Sequence, residues 1–87
     1  MAKDINEAIC EFITEEWINP YLAKGGTQVG FADTHNILES TVRKIKNTPR
    51  YRIPVETLFK MCKERKISIS EFFIQLEKYF PEIKIEE

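Results

Sequence analysis

From Phe31 to Asn47 the chain reads "FADTHNILESTVRKIKN". A helical apolar period opens this stretch, stalls at His35-Asn36-Ile37, and resumes with Val42 and Ile45. A stall this short leaves room only for a tight turn, so two short helices must pack directly against each other. Such a pair makes specific demands. Ala32 is the small residue where the helices cross, and Asn36, four positions later, suits the left-handed backbone of a sharp turn. Ile37 then plugs the core, and Val42 and Ile45 anchor the second helix toward the first.

The remaining sequence reads as helix on either side of this pair. Asp4 is a good N-cap for a first helix with Ile5, Ile9, Phe12, Ile13 and Trp17 on one stripe. Pro20 must kink or interrupt that helix, and Gly25-Gly26 stops it. Thr27 caps a second helix, about Gln28 to His35, and a third runs from about Glu39 to Lys46. "NTPRYRIP" is a loop, and a fourth helix begins near Pro54 or Val55, burying Leu58, Met61 and Cys62 or Phe59. The capping box Ser68-Ile69-Ser70-Glu71 opens a fifth helix, which carries Phe72, Phe73, Leu76 and Tyr79 or Phe80 and which Pro81 stops. The expectation is an all-α fold, a compact five-helix bundle forming one domain over residues 1–87, with the paired-helix motif at about 27–47 and C-terminal helices at about 54–80.

Composition excludes several classes. The 43% hydrophobic content suits a packed globule, and no apolar run approaches the length of a membrane span. "MAKDINEAIC" lacks the pattern of a signal peptide, so the expected location is the cytoplasm. Cys10 and Cys62 stand apart with no Cys-x-x-Cys, and His35 has no ligand companions, so both thiols read as small buried hydrophobes and no metal site is expected. No Gly-rich phosphate loop and no gathering of Ser, His and acid suggests catalysis, and no cofactor or small-molecule ligand is indicated.

The charge is unevenly distributed. Residues 1–38 carry −4, residues 39–66 carry +6 and residues 67–87 carry −3, for a total of −1. Between 40 and 52, Arg43, Lys44, Lys46, Arg50 and Arg52 have no acid among them, which is the footprint of a phosphate-contacting surface. The outer face of the third helix is polar and basic, with Ser40, Thr41, Arg43, Lys44 and Lys46. A short helix of that kind fits the DNA major groove.

On "TQVGFADTHNILESTVRKIKN", extended by "IPVETLFKMCKERKISISEFF", the chain resembles the lambda-repressor-like, Xre/Cro-type, helix-turn-helix regulators over about residues 22–73. That resemblance implies a five-helix bundle whose third helix reads DNA. It implies that Gln28 opens the second helix beside a phosphate or base, that Glu39, Ser40, Thr41, Arg43 and Lys44 lie on the recognition helix, and that Asn47 and the following loop grip the backbone. The chain departs from the family pattern at Asn36, where Gly is usual, and at Leu38, where a polar N-cap is usual. Glu39 repels phosphate, and either accepts from cytosine N4 or stabilises the helix N-terminus.

The expected function is therefore sequence-specific binding of double-stranded DNA by a transcriptional regulator, with contacts from Gln28, Glu39, Ser40, Thr41, Arg43, Lys44, Lys46, Asn47, Arg50 and Arg52. A homodimer is expected, because one recognition helix covers few base pairs. Its interface is expected around Phe72, Phe73, Leu76, Tyr79, Phe80 and the "PEIKIEE" tail, and second around Trp17. The alternative is a protein-interaction module of the same fold, antitoxin-like or an accessory subunit.

Overall fold

The computed structural model describes residues 3–83, which fold into five helical blocks. The first block is α1 (Ile5–Ile13), a π-helical turn (Thr14–Ile18) and α2 (Asn19–Ala23). The others are α3 (Gln28–His35), α4 (Glu39–Asn47), α5 (Val55–Glu64) and α6 (Ile69–Tyr79). Among the described residues the only extended pairing is an isolated parallel bridge between Lys3 and Ile83.

The starts of α1, α3 and α6 follow from local side-chain caps. The Asp4 carboxylate accepts from the Asn6 and Glu7 amides, at 2.9 and 3.2 Å. Thr27 Oγ1 accepts from the Gly30 amide at 3.0 Å, and Ser68 Oγ from the Glu71 amide at 3.0 Å. Only half of the Ser68–Glu71 capping box forms, since the Glu71 carboxylate instead accepts from Gln75 Nε2 at 3.3 Å. Pro20 sits in the first turn of α2, where its missing N–H is least costly. The turn before it is widened, with the Asn19 amide reaching back to the Thr14 carbonyl, which keeps one helical path through the proline.

Three helix ends use one device, a left-handed residue followed by an amide that bonds back five positions. Gly25, Asn36 and Lys66 have φ of 94°, 57° and 62°. The next amides, of Gly26, Ile37 and Ile67, donate to the carbonyls of Tyr21, Ala32 and Cys62 at 3.1, 3.0 and 3.0 Å. Gly26 has a second role, because a Cβ there would run into the Tyr21 ring. Gly30 lies under the same side chain, where a Cβ would approach the Tyr21 hydroxyl to 2.8 Å. Tyr21 thus covers both glycines and meets Phe31 edge-on, with centroids 5.6 Å apart.

α1 packs against α4 and α6, and α3 packs against α4 and α5. Phe12 lies at the centre of an aromatic cluster, edge-on to Trp17, Phe72 and Tyr79 at 5.9, 5.4 and 5.3 Å. This changes the expected assembly surface. Phe72, Leu76 and Trp17 are buried within a single chain, and Phe80 is half-buried beneath the Lys3 ammonium at 4.8 Å. Tyr79 donates its hydroxyl to Glu15 at 2.6 Å. The apolar surface expected to pair two copies is therefore largely used to join the two ends of one chain. What α6 leaves exposed is Phe73, Ile74 and part of Tyr79. Residues 84–87 of the tail lie outside the described residues. On α5, Cys62 is buried and Phe59 is 54% exposed, which resolves the choice between them.

Both thiols are buried and unpaired with each other. Cys10 Sγ donates to the Tyr51 carbonyl at 3.3 Å, and burial pushes its pKa up to about 11. No helix among the described residues is long and apolar enough to cross a membrane.

Candidate nucleic-acid interface

α3 and α4 meet through a turn of three residues, Asn36 to Leu38. Ala32 is buried where the helices approach, and Ile37 packs against the core. Val42 and Ile45 hold α4 from its inner side. Asn36 takes the left-handed conformation expected of it. Substituting glycine at Asn36 should leave stability unchanged or slightly raised, because glycine enters this backbone without a Cβ penalty. Asn36→Val should cost about 1–2 kcal/mol, since a β-branched residue resists it. Equal melting temperatures for the two variants would contradict this turn.

The turn is supported from behind by His35, the last residue of α3, which is only 4% exposed. Its ring stacks on Phe31 with centroids 3.9 Å apart. Nδ1–H donates to the Phe31 carbonyl at 2.9 Å, which leaves Nε2 to accept from the Arg65 guanidinium at 3.5 Å. Arg65 in turn lies over the Trp17 ring at 4.6 Å. Burial holds the His35 pKa below its ordinary value; the Phe31 carbonyl opposes this, Arg65 adds to it and Glu64 opposes it. Glu56, Lys60 and Lys63 line the groove beside the ring.

A group whose folded pKa is depressed binds fewer protons folded than unfolded in acid. Stability linked to His35 is therefore present above the unfolded value of about 6.5 and lost as pH falls through the lower folded value. The melting temperature should fall between pH 7 and pH 5, and His35→Gln should remove part of that fall. An identical pH profile in His35→Gln would show that the ring carries no such linkage.

On α4, Ser40, Arg43, Lys44 and Asn47 fall on one stripe opposite the buried Val42 and Ile45. Arg43, Lys44 and Asn47 are exposed and Ser40 is half-buried. Thr41 lies on the flank nearer α5, where it shares a groove with Leu38, Thr57 and Lys60. Lys46 departs from the expectation. It is half-buried on the opposite flank and lines a groove with Glu7, Glu11 and Glu15 of α1. An acid stripe at four-residue steps faces it there, which makes Lys46 the weakest of the expected cationic contacts.

Two other cations are engaged by acids. Arg43 Nη2 lies 3.3 Å from Glu39 Oε1, one helical turn earlier. Arg50 Nε lies 3.8 Å from Glu7 Oε2. Arg50 also holds φ at 56°, in a turn where Pro49 precedes it and the Tyr51 amide donates to the Thr48 carbonyl at 3.2 Å. Lys44 lies 5.9 Å above the Tyr51 ring, which ties the α4 stripe to the loop carrying Arg50 and Arg52. Arg52 is exposed. Gln28, the first residue of α3, is half-buried, and its Oε1 is sealed from solvent with no hydrogen-bond partner among the described residues.

In the sequence Leu38 reads only as a missing cap. In the structure no side chain caps α4, and Leu38 is 72% exposed at its leading end. The signal available was an apolar residue at a position that ordinarily takes Ser, Thr or Asp. Glu7 as the partner of Arg50 carried no sequence signal.

No family model, curated protein or solved structure matches this chain. The functional reading therefore rests on the geometry and chemistry of these residues.

Proposed function

We propose that this chain binds double-stranded DNA as a helix-turn-helix regulator of the lambda-repressor-like kind, with α4 in the major groove. The observation that carries the proposal is the outer stripe of α4. It presents Arg43, Lys44 and Asn47 to solvent, with Ser40 half-buried on the same stripe, opposite the anchors Val42 and Ile45, on a helix reached through the left-handed Asn36. A helix anchored on its inner side and polar on its outer side can enter a groove about 12 Å wide without disturbing its own packing. The adjoining loop adds Arg50 and Arg52 at the level where phosphates flank the groove. Sequence-specific recognition by one short helix needs reinforcement, so binding as a homodimer on a two-fold site is part of the proposal.

The test is binding to a random duplex as a function of salt. Cations that contact phosphate release counterions, so log K should fall linearly with log salt, steeper than about −2 for three or more contacts. A flat dependence would reject the proposal.

A second reading, a protein-interaction module of the same fold, is favoured by the pairing of Arg43 with Glu39 and of Arg50 with Glu7, and by the −1 net charge. These pairs withhold positive charge from a polyanion. On that reading the salt titration shows no duplex binding at low salt.

A further inference from the structure

We infer that Glu39 and Arg43 form a gate on base identity at the leading end of α4, which opens for a G·C pair and stays closed on other sequences. The inference rests on the DNA-binding reading above. The two side chains are joined at 3.3 Å, with the arginine side chain 60% and the glutamate side chain 34% exposed. Exposed pairs at this spacing are weak, so the pair opens readily when both partners are offered something better.

The chemistry of the groove decides what that is. A carboxylate directed at a base pair needs a hydrogen-bond donor. Cytosine N4 and adenine N6 are the exocyclic donors in the major groove, but adenine places its N7 acceptor beside the amino group and so repels the second carboxylate oxygen. The pair that offers cytosine N4 to Glu39 also offers guanine O6 and N7 to Arg43, which a guanidinium reads with two parallel donors. An A·T pair gives the arginine a poorer partner and puts thymine O4 or adenine N7 near the acid.

On a non-matching duplex the ion pair therefore remains closed. Arg43 is then withheld from the DNA, and Glu39 adds a negative charge close to the phosphates. Specificity arises mainly by penalising the wrong sequence, which is a recognised route to discrimination. Leu38, beside Glu39, cannot replace the lost partner of either charge, because it offers only apolar surface.

The test compares wild type, Glu39→Ala and Arg43→Ala on duplexes recovered by the wild type from a randomised pool, and on an unselected duplex. The expected result is a G·C pair at one fixed position in the recovered duplexes. Changing it to A·T should weaken wild-type binding about thirtyfold, and weaken Glu39→Ala binding only about fivefold, the share left to Arg43 reading guanine alone. Glu39→Ala should also bind the unselected duplex several-fold more tightly than wild type, with a steeper salt dependence from the released arginine. Arg43→Ala should lose the guanine preference without gaining that affinity. Normal discrimination by Glu39→Ala together with unchanged affinity for the unselected duplex would overturn the gate. So would a wild type that binds DNA but recovers no preferred sequence; in both cases the DNA-binding reading would stand. Failure of every duplex to bind would remove both.

Discussion

Phe72→Ala is expected to lower stability by about 3–5 kcal/mol, the range for removing a fully buried aromatic ring. Phe72 is 0% exposed and sits edge-on to Phe12 at 5.4 Å and Trp17 at 5.5 Å. The ring is one of the contacts between the first helical block and α6, beside those of Tyr79 with Phe12 and Glu15, so its loss opens a cavity at the junction that joins the two ends of the chain. A domain of this size has a total stability of about 4–13 kcal/mol, so the variant should lose much of its margin. Its melting temperature should fall by at least about 12 °C. The neighbouring Phe73 supplies the control. At 37% exposed, though edge-on to Phe72 at 5.2 Å, it should cost clearly less when changed to alanine. Denaturation of the two variants side by side checks the register of α6, and equal losses would mean that the helix is rotated from the orientation described.

The second large effect is on the proposed DNA binding. The double variant Lys44→Ala, Arg52→Ala removes two exposed cations that have no acid partner among the described residues. Each phosphate contact contributes about 0.9 to the salt slope. The slope on a random duplex should therefore flatten by about 1.8, and affinity at 0.15 M salt should drop about 30-fold. Both side chains point away from the core, so the circular dichroism spectrum and melting temperature should hardly change. An unaltered slope would remove the basic stripe as the binding surface.

These two experiments act on parts of the molecule that differ in how far the sequence revealed them. The paired helices were readable because their determinants are local. Thr27 caps α3 with its own hydroxyl, and Asn36 is at ease in left-handed backbone, so Gln28–His35 emerges as a helix with the expected bounds. The basic stripe of α4 follows from helical geometry once Val42 and Ile45 are known to face inward. Other features had no local signature. Lys66 closes α5 in a left-handed conformation that lysine does not favour, because Ile67 must turn back to pack against the core. The widened turn at Thr14–Ile18 accommodates a proline whose effect on the helix was predictable but whose solution was not.

The sequence by itself determined the helical class, the caps, the turn at Asn36 and the concentration of positive charge between Glu39 and Lys66. Each depends on residues within about one or two helical turns of one another, where backbone sterics and side-chain reach decide the outcome. Only the tertiary structure decided which charges are free. Arg50 meets Glu7 across the fold, and Lys46 faces the acid stripe of α1, although both appear in the sequence as members of one acid-free basic run. It also decided that Phe72 and Leu76 serve the inside of this chain, in one core with Phe12, which meets the Phe72 ring from about sixty positions away in sequence. Contacts between residues so far apart depend on how whole helices are set against each other. No local period or spacing records that arrangement.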